Sequence, residues 1–341
     1  MKEIIIRTNF NKKIGLGHIA RCKILNEFFN KKKIKTTFIL DNNIKSNITD
    51  NLNIINLGNK KYSPLDDAKK VFNKIQNKKI LFVLVDDYRI DYKWENFFYK
   101  KGYKIVVLDD LANRKHVCNY LIDSGWHGEK LNHLRYLKLI NKNANKLLGT
   151  QFKILNSKIK KKKLKKFNIL IYFGGGDHIV RYYKLIKFLI NLLVTAKKKV
   201  VLNIIYSDLL KIKKINGKKN VRVKMIKGSF DLSNLINKAS LYLGSNSSIV
   251  NELSYLKTPR ILISVNKFQN INLSTYQSLG NYICINHPNR KNQLKLAELV
   301  FQTIKNYKRV KRLFSKPEIK VKKNGAEKIS NILLKRYDKK N

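Results

Sequence analysis

The chain has 341 residues, 73 of them basic and 22 acidic, which gives a formal net charge of +51. Its 43% hydrophobic content excludes global disorder, and its length allows one large or two ordinary domains. No apolar run long enough for a transmembrane helix occurs, the start lacks a signal-peptide core, and the three cysteines are too scattered for a disulfide framework or zinc knuckle, so we expect a cytoplasmic protein.

Short apolar runs alternate with helix-like segments in the first half of the sequence. They are rich in Ile, Val, Leu and Phe without strict alternation, as in strands buried on both faces of a parallel sheet. The predicted strands are Ile4–Arg7, Thr37–Leu40, Ile54–Leu57, Ile80–Asp86 and Lys104–Asp109, and the predicted helices are Ile19–Asn30 and Pro64–Gln76. This order predicts a doubly wound α/β domain over residues 1–155.

A lysine-rich block within residues 156–166 follows, which we interpret as a solvated linker because like charges repel. The alternation then resumes and predicts a second α/β domain over residues 167–341. Its predicted strands are Asn168–Phe173, Val200–Ile205, Val221–Ile226, Leu241–Gly244, Arg260–Val265 and Tyr282–Ile285. Its predicted helices include Tyr182–Ala196, Ser248–Leu256 and a terminal amphipathic helix over Gly325–Arg336.

A glycine-rich turn between the first strand and first helix contains Gly15, Gly17 and His18. Such a turn lets the backbone approach a ligand, and a helix N-terminus suits an anion. His18 is then expected at the carboxyl end of the first strand, where α/β sheets bind ligands. The alternative is a tight turn with a helix-capping histidine. A dinucleotide fingerprint is excluded because Ala20 replaces its third glycine.

Two further turns of small residues occur in the second half. Phe173–Asp177 contains three glycines after a predicted strand, an arrangement that suits close approach of the backbone to a phosphate. The alternative interpretation of these glycines is a flexible loop. Gly244–Glu252 offers Ser and Asn donors, and Glu252 could accept the hydroxyls of a ribose. The alternative there is an ordinary helix capping box.

Acidic pairs end two strands of the first half, Asp86-Asp87 and Asp109-Asp110. Carboxylates at such positions can act as bases or bind hydroxyls, or they can cap the following helices. The six histidines lack the spacing of a metal site. We therefore expect no metal and no cofactor.

In order along the chain, these motifs resemble the PseG family, the UDP-sugar hydrolases of pseudaminic acid biosynthesis, which are related to spore-coat polysaccharide proteins. The likeness is strongest in the GxGHxxRC pattern that ends at Cys22 and in the SSxVNE pattern of Ser247–Glu252. The supporting segments are Arg7–Asn9, Val85–Tyr88, Leu108–Asp110, His116–Asn119, Leu148–Gly149, Phe173–Asp177, Gln269–Asn270 and Asn324–Ile329.

The resemblance implies an α/β GT-B fold like that of MurG-like glycosyltransferases, with two Rossmann-like domains and an inter-domain cleft. It implies inverting, metal-independent hydrolysis of a UDP-linked diacetamido-trideoxy sugar in nonulosonate and surface polysaccharide biosynthesis. Under it His18 is catalytic, and the substrate-binding residues are Gly15, Gly17, Arg21, Asp87, Tyr88 and Asn270. The nucleotide-binding residues are Gly174, Gly175, Ser247, Ser248 and Glu252.

Three other readings stay open. A glycosyltransferase of the same fold would replace water by a sugar or lipid-linked hydroxyl. A non-enzymatic protein would bind sugars or nucleic acid without turnover, and an epimerase would leave UDP attached to the sugar. Product analysis distinguishes these activities.

The charge is uneven, with a net +16 over residues 1–150 and +35 over residues 151–341. Basic surfaces attract phosphates, nucleic acid and anionic lipid. Because most lysines are scattered and nucleic-acid motifs are lacking, we interpret the charge mainly as compositional bias. We expect a monomer that binds a UDP-sugar and no specific nucleic acid, and weak association with a membrane surface stays open.

Overall fold

The computed structural model describes residues 2–10, 16–41, 48–58, 63–125, 134–160, 162, 166–174, 177–206, 212–227, 232–247, 249–265, 283–285 and 290–335. The chain forms two compact units. Unit 1 comprises residues 1–155 together with 322–341, and unit 2 comprises residues 156–321.

Unit 1 is built on a seven-stranded parallel sheet. The strands are β1 (Glu3–Thr8), β2 (Lys35–Leu40), β3 (Ile54–Asn56), β4 (Ile80–Asp86), β5 (Ile105–Leu108), β6 (Tyr120–Asp123) and β7 (Asn145–Leu148), in the order β3-β2-β1-β4-β5-β6-β7. Its first helices are α1 (Gly17–Lys31), α2 (Pro64–Ile75) and α3 (Tyr92–Lys100). Two separate apolar clusters form on the strands' alternate residues, one containing Ile4 and Ile6 and the other Ile5, so both faces of the sheet are covered as predicted.

Unit 2 contains a six-stranded parallel sheet. Its strands are β8 (Phe167–Tyr172), β9 (Val200–Tyr206), β10 (Val221–Lys227), β11 (Leu241–Ser245), β12 (Arg260–Ile263) and β13 (Ile283–Ile285), in the order β10-β9-β8-β11-β12-β13. The helices are α4 (Tyr183–Thr195), α5 (Ser233–Asn237), α6 (Ile249–Leu256), α7 (Arg290–Lys305) and α8 (Tyr307–Phe314). In both sheets the strand order reverses beside the first strand, which is where α/β proteins bind ligands.

The basic segment between the two halves is not a free linker in its first part. Ile159 is fully buried in an apolar cluster of unit 2. The Lys160 amide donates to Oδ1 of Asn237 at 2.8 Å, and the Asn237 side chain donates to the Lys158 carbonyl at 3.0 Å. Residues 156–160 therefore belong to unit 2, because a buried isoleucine and two hydrogen bonds hold them there.

The last helix, α9 (Gly325–Leu334), packs on unit 1 and not in the second domain, where the sequence analysis placed it. Its apolar face contributes Ala326, Ile329 and Leu333 to the cluster that contains Leu25 and Phe29 of α1. Adjacency along the chain suggested the wrong domain, because an amphipathic pattern shows that a face is buried without showing what buries it. Among the described residues, no helix is long and apolar enough to cross a membrane.

Gly325, the first residue of α9, lies directly against the backbone of residues 152 and 153. A Cβ there would stand 2.2 Å from the Lys153 carbonyl oxygen. We expect Gly325→Ala to destabilise unit 1 by about 1–3 kcal/mol, because the helix must shift away from its seat. Chemical unfolding followed by tryptophan fluorescence measures the loss, since both tryptophans belong to the sequence of unit 1.

Gly17, the first residue of α1, is the matched control. A Cβ there meets nothing within 4 Å, so Gly17→Ala should cause no loss of stability. Equal stability of the two alanine variants would contradict the close seating of α9.

Candidate active site

His18 lies in the first turn of α1, where the ends of neighbouring strands meet. β1 and β4 are paired, and Thr8 stands in register with Asp86 at their carboxyl ends. α1 follows β1 in the chain and places His18 beside the end of β4. Nδ1 of His18 lies 2.6 Å from Oδ1 of Asp86, and the side chain is 11% exposed.

Asp86 is completely buried and is surrounded by donors. Arg21, one helical turn after His18, donates to it from Nε at 2.6 Å and from Nη2 at 2.5 Å, and the Cys22 thiol lies 3.4 Å away. Burial alone would raise the pKa of Asp86, but the charges and hydrogen bonds of Arg21 and His18 hold it well below its usual range. Asp86 is therefore a carboxylate at neutral pH, and it accepts the Nδ1 proton of His18.

This pairing fixes the tautomer of His18. An imidazole that donates from Nδ1 keeps a lone pair on Nε2, so its second nitrogen is a proton acceptor. A proton arriving at Nε2 would create an imidazolium directly beside the Asp86 carboxylate, which would stabilise it. The pair has the chemical capacity of a general base.

Tyr88 and Asp110 complete the cluster. The Tyr88 hydroxyl donates to Oδ2 of Asp110 at 2.8 Å, and Nη1 of Arg21 reaches the same oxygen at 2.5 Å. The Tyr88 ring meets the His18 ring edge-on with centroids 4.4 Å apart, and the Arg114 guanidinium lies 5.5 Å from the Tyr88 centroid. The imidazole is thus held by a carboxylate at one atom and by an aromatic ring on its side.

Asp87, an expected substrate-binding residue, makes its hydrogen bonds outside this cluster. Asp87 accepts from Nε of Arg89 at 2.9 Å and from the Arg89 amide at 3.0 Å, which fixes the turn that carries Tyr88. Among the described residues, Asp87 therefore affects the His18 cluster through the turn that carries Tyr88.

A second polar cluster surrounds the buried guanidinium of Arg7. Its Nη2 binds Asp41 and lies 2.6 Å from Oδ2 of Asp67, and its Nε lies 3.1 Å from Oδ1 of Asp67. Trp94 donates from Nε1 to Asp67 at 2.7 Å, and Asn9 donates to Asp41 at 2.9 Å. These contacts tie the segment before the glycine-rich turn to β2 and α2.

The glycine and serine turns of unit 2 meet at the ends of β8 and β11. Gly174 has φ +92°, a conformation that favours glycine, and a Cβ there would lie 3.6 Å from Oγ of Ser245. Gly244 is required as well, because its Cβ would stand 1.9 Å from the Tyr172 carbonyl oxygen. Among the described residues, buried Oγ of Ser245 has no hydrogen-bond partner, which leaves a donor at this edge.

The remaining predicted residues fall into two groups. Ser247 follows β11, its amide donating to the Ser245 carbonyl at 3.0 Å, and Glu252 lies in the first turn of α6. Four predicted residues lie outside the described residues: Gly15, Gly175, Ser248 and Asn270. The described residues also contain no group of three or more His, Cys, Asp or Glu side chains that could hold a metal ion.

Three residues with site geometry were not among the predicted site residues: Asp86, Asp110 and Ser245. The first two belong to acidic pairs that were recognised at strand ends, but a pair does not show which member faces α1. Ser245 lies in the serine-rich turn Gly244–Glu252 that was recognised, but only later residues of that turn were predicted to bind the nucleotide. These residues could have been predicted by counting the alternation of side chains along each strand from its buried core residues.

His116 lies in a buried charged network beside the site. Its Nδ1 is 2.7 Å from Oε1 of Glu95, and its Nε2 is 3.8 Å from Oδ2 of Asp109. Burial lowers the pKa of His116, but the hydrogen bonds and charges of Asp109 and Glu95 raise it to about 9 overall, from an ordinary 6.5. The protonated form is therefore favoured by folding.

The raised pKa of His116 predicts a pH dependence of stability. A group whose pKa is higher in the folded state contributes fully below pH 6.5 and loses that contribution as the pH rises through about 9. We expect the unfolding free energy of unit 1 to fall over this interval, and His116→Gln to flatten the fall. Denaturation series by tryptophan fluorescence test this, and identical slopes in both proteins would contradict it.

No family model and no curated protein matches the sequence, but solved structures are similar to it in fold. Acinetobacter baumannii MurG has a TM-score of 0.65 at 10% identity, covering 98% of this chain and 99% of that one. S. aureus MnaA in complex with UDP has a TM-score of 0.64 at 13% identity, covering 99% and 97%. A Methanocaldococcus jannaschii UDP-GlcNAc 2-epimerase with UDP-GlcNAc and UDP has a TM-score of 0.58 at 15% identity, covering 98% and 100%.

The chain has the GT-B fold. The likeness spans nearly all of each protein, with both parallel sheets included, which confirms the predicted fold class. Within this GT-B chain, the His18 cluster lies at the carboxyl ends of β1, β4 and β5 of unit 1. Gly174 and Ser245 lie at the corresponding ends of β8 and β11 of unit 2. At identities this low, the comparison establishes the GT-B fold alone.

Proposed function

We propose that the protein is a hydrolase that releases UDP from a UDP-linked diacetamido-trideoxy sugar by attack of water at the anomeric carbon. The observation that carries the proposal is the 2.6 Å contact between Nδ1 of His18 and the buried carboxylate of Asp86. It supplies an oriented base at the position where the resemblance to the PseG family expects one. The cytoplasm is the proposed location.

In the proposed reaction Nε2 of His18 accepts a proton from the attacking water. The water oxygen bonds to the anomeric carbon, and the bond from that carbon to the phosphate oxygen breaks with its electron pair on UDP. The imidazolium that forms is stabilised by Asp86, as in other histidine–carboxylate pairs. Attack from the face opposite UDP inverts the anomeric configuration.

Arg21 receives a different role from the one first expected. Both ends of its guanidinium are occupied, by Asp86 and by Asp110, so it holds the base in place instead of binding the sugar. Tyr88 and Gly17 remain proposed sugar-side residues, together with Gly15 and Asn270. Asp87 acts through the turn that presents Tyr88.

The leaving group needs stabilisation of charge more than a proton, because UDP is already a good leaving group. Gly174 and Ser245 form the edge where backbone amides and a hydroxyl are suited to phosphate oxygens. Gly175, Ser247, Ser248 and Glu252 complete the proposed nucleotide site. The S. aureus and Methanocaldococcus jannaschii proteins of the same fold were solved with UDP, which supports a nucleotide-linked substrate.

The test is incubation of the purified protein with a panel of UDP-linked sugars, including diacetamido-trideoxy sugars, without an acceptor. UDP and free sugar in equal amounts are expected. In water enriched in oxygen-18, the label should enter the anomeric hydroxyl and not UDP, and proton NMR of the nascent sugar should show inversion.

The other outcomes of the panel overturn the proposal in distinct ways. UDP released only when a sugar or lipid acceptor is added would make the protein a transferase. An altered sugar still attached to UDP would make it an epimerase. Binding of UDP-sugars without turnover would make it a non-enzymatic binding protein.

A further inference from the structure

Helix α8 of unit 2 carries a concentrated positive charge on its outer side. Lys308, Arg309, Lys311 and Arg312 are all exposed, and the helix has no acidic residue. Positions i, i+1, i+3 and i+4 lie on one half of an α-helix, so the four cations share a face. We call this set the α8 patch.

The opposite side of α8 is anchored in unit 2. Phe314 is buried and lies 5.4 Å from the Arg260 guanidinium. The Tyr307 ring packs edge-on against Phe167 at 4.8 Å, and its hydroxyl donates to the Ser240 carbonyl at 2.9 Å. The α8 patch is therefore presented outward by a fixed helix.

The α8 patch differs from the general lysine bias of the sequence because it contains two arginines. The chain has 12 arginines among its 73 basic residues, and Arg7, Arg21 and Arg114 each bind carboxylates. Arg309 and Arg312 have no ion-pair partner among the described residues. Two exposed arginines without carboxylates, three residues apart on one helix, indicate a surface for an external anion.

Two features favour a lipid surface over a nucleic acid. Leu313, beside the cations, is 59% exposed, and an apolar side chain among cations suits the boundary between headgroups and acyl chains. Single-stranded nucleic acids are held by exposed aromatic rings that stack on bases. Phe314 is buried, and Tyr307 is half-buried with its ring against Phe167, so α8 offers no fully exposed ring for that purpose.

We propose that the α8 patch docks the protein on a bilayer of anionic lipids, with Leu313 at the headgroup boundary. The attraction is electrostatic, with each lysine or arginine near the surface contributing about 5-fold to the partition coefficient. Exposed Lys305 and Lys316 flank the patch and add to it. Docking is independent of the proposed hydrolysis and needs no substrate.

The experiment is co-sedimentation of the full chain with vesicles of phosphatidylglycerol and phosphatidylcholine, compared with phosphatidylcholine alone. We expect binding that rises with the phosphatidylglycerol content and weakens with salt. The variant K308Q/R309Q/K311Q/R312Q should bind about 600-fold more weakly, and Leu313→Ser several-fold more weakly.

The matched control is K69Q/K74Q/K93Q/K100Q, which removes the same charge from exposed lysines of unit 1. It should bind vesicles nearly as well as the unaltered protein, and circular dichroism melting should show that both variants are folded. An equal loss in the two quadruple variants would overturn the proposal in favour of diffuse charge. Insensitivity to phosphatidylglycerol would overturn it too, as would patch-dependent binding of a single-stranded oligonucleotide in place of vesicles.

Discussion

Replacing His18 with alanine is expected to lower the turnover of the UDP-sugar by about 10²–10⁴-fold, the usual effect of losing a general base. Binding of UDP should persist, because the proposed nucleotide site lies in unit 2. The base is oriented by Asp86, so Asp86→Asn should also reduce kcat by a large factor, since the amide no longer stabilises the imidazolium. Steady-state kinetics with UDP detection, together with calorimetry of UDP binding, measure both quantities.

Asp87→Asn is the matched control, one residue away in the same acidic pair. It should change kcat far less than Asp86→Asn, because Asp87 is bound by Arg89 and not by His18 or Arg21. Unchanged turnover in His18→Ala would remove His18 from the mechanism. A larger effect at Asp87 than at Asp86 would contradict the assignment of the carboxylate that holds the base.

Replacing Arg7 with methionine is expected to destabilise unit 1 by about 3–5 kcal/mol, the range found when one partner of a buried ion pair is removed. Asp41 and Asp67 would remain buried without the guanidinium that joins them. Trp94 donates to Asp67, so urea unfolding followed by tryptophan fluorescence reports on this cluster directly.

Two further variants make the Arg7 prediction specific. Lys69→Met on the exposed side of α2 removes a charge without uncovering a carboxylate, and should stay within about 0.5 kcal/mol of the unaltered protein. Adding Asp67→Leu to Arg7→Met should recover part of the loss, because fewer buried charges remain. A loss below about 1 kcal/mol in Arg7→Met would contradict the buried network.

The strands of both sheets were predictable because their physical signature is local. Runs such as Ile80–Asp86 are apolar on both faces, and only a parallel sheet covered by helices accommodates them. β6 and β7 escaped prediction. β7 exposes two of its four residues, which leaves little apolar pattern to recognise. α9 was predicted as a helix, but its seat on α1 depends on packing that adjacency in sequence does not reveal.

The candidate site shows the same division. The position of His18 follows from the sequence, because a helix that comes directly after a buried strand begins at the carboxyl edge of the sheet. The sequence does not show which of Asp86 and Asp87 contacts His18, because both stand at the end of the same apolar run. The role of Arg21 depends on Asp110, 89 positions later, which only the neighbouring β5 brings within reach.

The return of α9 to unit 1 has a consequence for how the chain folds during synthesis. Unit 2 is one continuous segment, whereas the core of unit 1 needs Ile329 and Leu333 from beyond it. Domains generally fold as units in the order in which they leave the ribosome. In this chain the order is reversed. Unit 2 can complete its core first, whereas Leu25 and Phe29 of unit 1 stay exposed until α9 has been synthesised. Residues 1–155 expressed alone would therefore expose an apolar face to aggregation.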